Sequence, residues 1–408
     1  MLIETVQMVK TATAKGQELG MAIFCCLAVF SPLAWAQGRV VARATAPGVK
    51  PSRPTASART VISSTRQKSP TAPKSRLIAQ ATAYTNGTAK EDDLRGEDPV
   101  IRRAAVEALG KLPGSIVVVD PNSGRVLTIV NQNLALSSGY QPCSTFKPAV
   151  ALAALEEGVI EPERSRLQLG KKWYMTLQEG LRISNNLYFE KLGSLLGLNK
   201  LTEYARRFGF GDEPAGWGIE PEAAGEFPAK APTAKQGGVG KVASFGKGIS
   251  QTLLQTASFT SALANGGILY YLQYPRTDEE ISNFQPRIKR VLDFGTVLNP
   301  VREGMEKAVL TGTARRAQQP DLSIMGKTGT CSENRMRLGW FSGYVQHDGG
   351  LVAVVLLRSK QNLGGGARAS QVAGQLFRQL ADRDYFVQLA QRNSPNIPPA
   401  AIQLPTVP

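Results

Sequence analysis

The apolar pattern near residue 96 marks the start of a folded region. An apolar stripe from Val100 to Leu112 follows Asp98, which precedes a proline as at many helix starts. The next runs, SIVVVD and RVLTIV, are rich in β-branched residues and flank the turn PNSG. A packing helix followed by a β-hairpin is therefore predicted.

The middle of the chain has helical periodicity. A helix is predicted to begin at the sequence STFK, residues 144 to 147, and to end at Gly158. The patterns also predict helices at 177 to 195, at 198 to 208 and at 251 to 264.

A strand pattern returns in the last third, in DLSIMGKTGT, RLGWFSGYV and LVAVVLLRS. The last two runs are joined by a turn at Gln346 to Gly350, and a terminal helix is predicted from Ala367 to Leu380. Strands at both ends with helices between them predict an α+β fold. We expect an antiparallel five-stranded sheet with the terminal helices on one face and an all-helical lobe opposite.

The residues before and after this region differ in composition. Residues 1–36 have the charge, short apolar core and Ala-x-Ala end of a cleavable export signal, and an uncleaved membrane anchor is the alternative. Residues 37–95 predict a disordered basic tether, because 37–90 hold ten Lys or Arg and no Asp or Glu. The predicted domain covers 96–392, and a proline-rich tail covers 393–408.

Charge and location restrict the partners. The tether is either a solvated spacer or a segment attracted to an anionic envelope surface. An exported chain is not expected to bind nucleic acid. We therefore predict a protein of the periplasm or cell envelope.

The histidine count restricts the chemistry. The chain has one histidine, His347, in the turn sequence QHDGG, where a solvated position is expected. A Ser-His-Asp triad, a Cys-His pair or a histidine zinc site would rest on it alone. Neither a metal nor a cofactor is therefore expected, and any hydrolase or transferase here needs a lysine or carboxylate base.

Three short motifs supply such chemistry. In STFK, Ser144 and Lys147 share one helix face, so the amine is a candidate base for the hydroxyl if burial or a second cation lowers its pKa. In KTGT, Lys327 offers that second cation. Between them lies SNN, residues 184 to 186, which is either part of a site or a helix break with Asn caps. Each motif alone is weak evidence for a function, but this combination is typical of β-lactamases and penicillin-binding proteins.

Residues 97 to 390 resemble the penicillin-binding transpeptidase domain of the serine β-lactamase and DD-peptidase superfamily. The resemblance includes the three motifs and, in the same order, the stretches SNNLYFEKLGSLLGLNKL, FGKGISQTLLQTASFTSALANGG and VREGMEKAVLTGTARRA. It implies a serine acyltransferase that acts on D-Ala-D-Ala stem peptides of peptidoglycan and binds β-lactam antibiotics.

The resemblance also implies residue roles. Ser144 becomes the acylated nucleophile, Lys147 its base, Ser184 a proton relay, Asn186 an orienting amide, and Lys327 the cation of the cleft. The hydroxyls of Thr328 and Thr330 are expected to bind the substrate carboxylate, and Gly329 to leave room for the substrate backbone. The backbone N–H groups of Ser144 and Thr330 are expected to form the oxyanion hole.

Transpeptidase, carboxypeptidase, class D-like β-lactamase and non-catalytic β-lactam sensor share this acylation. The stretch GWGIEPEAAGEFP lacks the Glu-x-x-Leu-Asn pattern of class A β-lactamases. Class D enzymes share the Ser-Thr-Phe-Lys sequence and a GWF after KTG, but they usually have valine where this chain has Asn186. Trp217 either imitates a class D tryptophan or packs a loop. We favour the peptidoglycan role.

Two cysteines remain beyond the leader, Cys143 and Cys331. Certain class A carbapenem-hydrolysing enzymes carry a disulfide at matching positions, and the resemblance places both residues at the cleft wall. A Cys143–Cys331 disulfide is expected in an oxidising compartment, with two buried thiols as the alternative.

Overall fold

The computed structural model describes residues 91–346 and 350–393. The predicted export signal, the tether up to Lys90, His347 and the tail after Asn393 lie outside the described residues. Within the described ranges, none of the helices has both the length and the apolar character needed to cross a bilayer.

The strands of the main sheet come at both ends of the folded region, with most of the helices between them, as the patterns predict. A short 3-10 helix, Cys143–Phe146, carries Ser144 and is called the serine turn below. The α-helices are α1 Pro99–Leu109, α2 Gln132–Leu136, α3 Lys147–Glu156, α4 Leu177–Arg182, α5 Asn186–Arg207, α6 Gly238–Phe245, α7 Leu253–Asn265, α8 Asp278–Ser282, α9 Leu298–Leu310, α10 Gly365–Ala381 and α11 Tyr385–Asn393. The strands are β1 Gly114–Val119, β2 Val126–Val130, β3 Leu167–Gln168, β4 Tyr174–Met175, β5 Ile268–Tyr271, β6 Arg287–Val291, β7 Ile324–Glu333, β8 Met336–Val345 and β9 Leu351–Ser359.

The main sheet has five strands in the order β2-β1-β9-β8-β7, and every neighbouring pair is antiparallel. Strand β1 pairs with β9, with Val117 opposite Val354, so the two ends of the domain meet in the middle of the sheet. The predicted α+β class and five-stranded antiparallel sheet are confirmed.

The two faces of the sheet bury separate cores. Side chains alternate across a strand, so Val117 and Val119 enter a core with the helical lobe, whereas Ile116 and Val118 pack with α1 and α10. Because both faces are covered, all six residues of β1 are buried. The predicted placement of terminal helices on one face and a lobe on the other is confirmed.

The helix predicted over 177 to 195 is wrong as a single element, because α4 ends at Arg182 and α5 begins at Asn186. Ser184 has a left-handed backbone with φ of 54°, and the Asn185 side chain caps α5 by accepting from the N–H of Tyr188. The polar trio is thus a true helix break. Helix α1 also stops at Leu109, before Leu112, and α6, α9 and the β5–β6 pair were not predicted.

Residues 91–98 form a segment, called the strap below, that is fixed along β2 at one edge of the sheet. Arg102 of α1 pairs with Asp92 at 2.8 Å and with Glu97 at 3.4 Å, and the two carboxylate side chains are only 1% and 2% exposed. Asp92 also accepts from the N–H of Gln132 at 2.8 Å. The strap therefore includes residues that lie before the predicted domain start at Gly96.

Candidate active site

The serine turn lies beside β7, the edge strand opposite β2. Ser144 is its second residue and is 8% exposed, and Lys147 begins α3 directly after the turn. The Ser144 hydroxyl donates to the carbonyl oxygen of Ser244 at 3.5 Å. Ser144 and Lys147 are therefore both at the start of one helix, although no direct hydrogen bond joins them in the described part of the chain.

Lys147 is fully buried, and its amine has three oxygen partners. They are the Ser184 carbonyl at 2.7 Å, the Asn186 side-chain oxygen at 2.8 Å and the Ser184 hydroxyl at 3.2 Å. The helix break makes this possible, because it turns both oxygens of Ser184 toward one amine. A neutral amine is satisfied here if it donates to the two carbonyl-type oxygens and accepts from the hydroxyl.

Lys327 reaches the same hydroxyl from β7. Its amine lies 2.8 Å from Ser184 Oγ and 2.9 Å from the carbonyl oxygen of Thr328, and its side chain is 1% exposed. Ser184 Oγ thus joins two lysines that come from different sides of the cleft. No carboxylate pairs with either amine in the ranges that the structure describes.

Burial and mutual repulsion disfavour charge on this pair. Burial, assisted by the positive charge of Lys327, holds the pKa of Lys147 well below its usual value, and the Glu190 carboxylate opposes this only in part. Burial lowers the pKa of Lys327 to about 7. The arrangement can therefore hold one neutral amine beside one charged amine near neutral pH.

The KTGT hydroxyls lie next to this pair. Thr328 Oγ1 donates to Thr313 Oγ1 at 2.8 Å, and Thr330 Oγ1 accepts from the N–H of Gly366 at the start of α10. Both threonines line the cleft. The predicted residues Ser144, Ser184, Asn186, Thr328 and Thr330 are brought together here.

Gly329 has a packing reason that the sequence did not reveal. A Cβ at this position would lie 2.9 Å from the carbonyl oxygen of Pro142 and 3.2 Å from Cys143 Cβ. Hence glycine lets the serine turn approach β7. This packing role is separate from the predicted role of leaving room for a substrate backbone.

A disulfide joins the same two elements. Cys143 and Cys331 are bonded, with Cα atoms 5.7 Å apart and 188 positions apart in sequence. Because Cys143 precedes Ser144, the bond fixes the serine turn to β7 immediately beside the hydroxyl. The predicted pairing is present.

The cleft has a volume of about 440 Å3 and includes residues that the sequence analysis missed. These further lining residues are Phe245, Thr313, Arg315, Arg316, Gly364 and Ala367. Two of the family-like stretches, the one that begins FGKGIS and the one that ends GTARRA, contain Phe245, Thr313, Arg315 and Arg316, but the sequence analysis assigned these residues no role in the site.

Trp217 belongs to another part of the surface. It is 51% exposed, packs edge-on against Tyr271 and lies under the guanidinium of Arg287. Glu222 of the same loop accepts from the N–H groups of Ala215 and Gly216. Neither residue lines the cleft, so the loop-packing interpretation of Trp217 is the one that the geometry supports.

A family model described as penicillin binding protein transpeptidase domain matches residues 114–382. The chain belongs to this family. All the paired strands of the main sheet, the serine turn and the KTGT strand fall within the matched residues.

Relatives of this transpeptidase-domain chain include stage V sporulation protein D of Bacillus subtilis, 32% identical over 54% of this chain and 36% of that protein. Peptidoglycan D,D-transpeptidase MrdA of Haemophilus influenzae is 27% identical over 74% of this chain and 57% of that protein. The chain thus spans about a third to somewhat over half of the length of these curated relatives.

Solved structures share the fold. A peptidoglycan glycosyltransferase from Burkholderia ambifaria superposes with a TM-score of 0.60 at 22% identity, over 71% of this chain and 98% of that one. The transpeptidase domain of penicillin-binding protein 3 from Burkholderia pseudomallei gives 0.58 at 21% identity, over 73% and 98%.

Proposed function

We propose that this protein is a penicillin-binding DD-transpeptidase or DD-carboxypeptidase that acts on D-Ala-D-Ala stem peptides through a Ser144 acyl-enzyme. The observation that carries the proposal is the pair of buried lysines that share the Ser184 hydroxyl, with no carboxylate partner among the described residues. A buried pair of lysines, with the pKa of each amine lowered by burial, is costly to retain for stability alone, so a catalytic use explains it better.

In the proposed acylation, the Ser144 hydroxyl turns away from Ser244 and gives its proton to neutral Lys147 as Oγ attacks the penultimate D-Ala carbonyl. The backbone N–H groups of Ser144 and Thr330 stabilise the resulting oxyanion. Ser184, which contacts both amines, then relays a proton to the departing D-alanine nitrogen as the C–N bond breaks.

The substrate carboxylate is proposed to bind at the hydroxyls of Thr328 and Thr330, beside charged Lys327. The contact at Thr330 supports this role, because its Oγ1 accepts from the N–H of Gly366 and keeps its own hydrogen for a carboxylate. The Thr328 hydroxyl donates to Thr313, so it must turn from that partner to donate to the ligand. Asn186 holds Lys147 in place, because its side-chain oxygen accepts a hydrogen bond from the amine at 2.8 Å.

The class D β-lactamase alternative has less support. Such an enzyme needs an apolar pocket around a carbamylated lysine, but the Lys147 amine is surrounded by the oxygens of Ser184 and Asn186. Trp217, the candidate for a tryptophan that steadies a carbamate, lies outside the cleft lining.

The test is acylation by a fluorescent penicillin, followed by the time course of label retention. We expect covalent label that persists, and its loss in Ser144→Ala but not in Ser194→Ala, which removes an exposed hydroxyl from α5. Rapid label loss with turnover would indicate a β-lactamase instead. Absence of label would refute the proposal, and D-alanine release from a pentapeptide separates an enzyme from a sensor.

The cellular setting is part of the proposal. A peptidoglycan substrate and the leader at 1–36 support export to the periplasm or cell envelope, and the ten cations of residues 37–90 support contact with an anionic envelope surface. Salt-dependent binding of the full mature chain to anionic vesicles, lost when residues 37–90 are deleted, is the corresponding test.

A further inference from the structure

Two arginines line the cleft without a partner. Arg315 and Arg316 follow Thr313 by two and three residues, and both are exposed. Neither guanidinium makes an ion pair or a hydrogen bond within residues 91–346 and 350–393. In the same part of the fold, Arg182 pairs with Glu179 and Arg302 donates to the carbonyl oxygen of Leu263.

The backbone that carries these arginines is firmly held. The N–H of Thr313 donates to the Arg182 carbonyl at 3.1 Å, Ala317 is buried, and the Gln319 side chain donates to the Gly374 carbonyl at 3.1 Å. The guanidiniums therefore project from a fixed loop, and what remains free is their charged end.

The electrostatics of the cleft leave this charge uncompensated. None of the described residues that line the cleft is acidic. The nearby carboxylate of Glu190 is already bonded to Lys241 at 2.6 Å. Two unpaired guanidiniums, carried on a held backbone and lining the same cleft as Thr313 and Thr328, form a site suited to carboxylate, which arginine binds through parallel N–H donors.

We propose that Arg315 and Arg316 select the acyl acceptor, favouring an amine that carries a carboxylate on the adjacent carbon. The proposal rests on the proposed function. The departing D-alanine is such an amine, and its carboxylate leaves from the KTGT end of the cleft. An acceptor attacks along the reverse of the path by which D-alanine left, so its own α-carboxylate comes to the same site.

The transfer step is balanced without any further reactant. The acceptor nitrogen forms a bond to the acyl carbon, and the ester bond to Ser144 Oγ breaks. The proton lost by the amine passes through Ser184 and Lys147 to Ser144 Oγ, which regenerates the hydroxyl. Water entering instead gives hydrolysis, so the ratio of amide to acid products reports acceptor recognition separately from acylation.

The experiment supplies an N-acyl-D-alanyl thioester whose leaving thiol has no carboxylate, together with D-alanine or D-alaninamide as acceptor. The amide-to-acid product ratio is measured by mass spectrometry for the full mature chain, for Arg315→Gln, for Arg316→Gln and for the double variant. The control is Arg206→Gln, which removes an exposed arginine at the opposite end of α5 from Asn186. Because every variant meets the same two amines, differences in their basicity cancel.

We expect the preference for D-alanine to fall about fivefold for each arginine removed and to weaken as salt rises, with no change in the control. A double variant with the same acceptor preference as the unsubstituted chain would overturn the inference. The same holds if that variant is also acylated more slowly, because the arginines would then serve only the donor. Normal penicillin labelling in either case leaves the proposed function standing, whereas no labelling removes both.

Discussion

The two edges of the sheet both bury cations, but they compensate them differently. At the β2 edge, Arg102 is paired with the buried carboxylates of Asp92 and Glu97. At the β7 edge, Lys147 and Lys327 are buried with carbonyl, amide and hydroxyl oxygens only. Carboxylates would hold the lysine amines protonated, so their absence keeps one amine available as a base. The arginine, which stays charged in proteins, is suited only to the first arrangement.

A buried cation with a structural role and one with a proposed catalytic role can therefore be distinguished by what its removal changes. Arg102, whose charge is compensated by carboxylates, joins the strap to α1. Its removal should lower the free energy of unfolding without changing the rate of acylation. An uncompensated cation costs stability while it is present, and its removal should affect chemistry first. The following four predictions test this distinction.

The largest effect is expected for Lys147. Replacement by alanine should lower the rate of penicillin acylation about 10⁴-fold, because the Ser144 proton loses its acceptor. The matched variant Lys147→Arg keeps a cation that does not deprotonate, so it should lose a similar factor. Acylation would be followed in stopped-flow with fluorescent penicillin, and an active Lys147→Arg protein would show that a neutral amine is not required.

Arg102→Met should lower the free energy of unfolding by about 3 to 4 kcal/mol, because it leaves the buried carboxylates of Asp92 and Glu97 without their cation. Penicillin acylation per folded molecule should not change. The control is Arg103→Met on the same helix, which breaks an exposed pair with Glu107 and should cost less than about 0.5 kcal/mol. Urea unfolding measures both, and equal costs would contradict the structural role.

Loss of the disulfide, through Cys143→Ala with Cys331→Ala, should lower the free energy of unfolding by about 2 to 3 kcal/mol. Acylation should also slow, because the serine turn is no longer fixed to β7 beside Ser144. This distinguishes the β7 edge, which is held covalently, from the β2 edge, which is held by ion pairs. The test compares urea unfolding and acylation for both proteins, and unchanged acylation would show that Gly329 packing alone suffices.

Lys327→Met should raise the free energy of unfolding by about 1 to 2 kcal/mol at pH 7 while acylation falls. The pKa of Lys327 drops from 10.5 to about 7 in the folded protein, so the unfolded chain holds more protons between these values. Stability of the unsubstituted protein therefore rises with pH over this window, by at most about 1.4 kcal/mol per unit for one group.

The advantage of the methionine variant should accordingly shrink as pH increases from 7 toward 10. Urea unfolding at several pH values measures it. A constant difference across the window would mean that Lys327 keeps its charge when buried.

The sequence predicted those parts of the molecule that depend on local pattern. Runs rich in β-branched residues predicted β1 and β2, and strand patterns predicted β7, β8 and β9. The spacing of Ser144 and Lys147 predicted their shared place where the serine turn meets α3. The family resemblance supplied the Cys143–Cys331 pairing. Even the interruption at SNN was visible, although its backbone turn at Ser184 was not.

Contacts between distant segments could not be predicted from the sequence. Nothing in the run containing Arg315 and Arg316 shows that it faces the cleft, because that depends on α9 and α10 fixing the loop. Asp92 precedes the predicted domain start and Glu97 lies at its first residues, and only the fold brings their carboxylates to Arg102. For Gly329, the crowding by Pro142 is likewise a tertiary effect.

The crowding at Gly329 makes the position of Ser144, the proposed nucleophile, depend on the absence of a Cβ at residue 329. The hydroxyl at 144 and the strand proposed to carry the oxyanion hole belong to segments nearly two hundred positions apart, and their separation is set where the 142 carbonyl contacts bare backbone. Any L-side chain at 329 widens that gap by wedging the two segments apart. A substitution that deletes no functional group would then disable catalysis as surely as one that does.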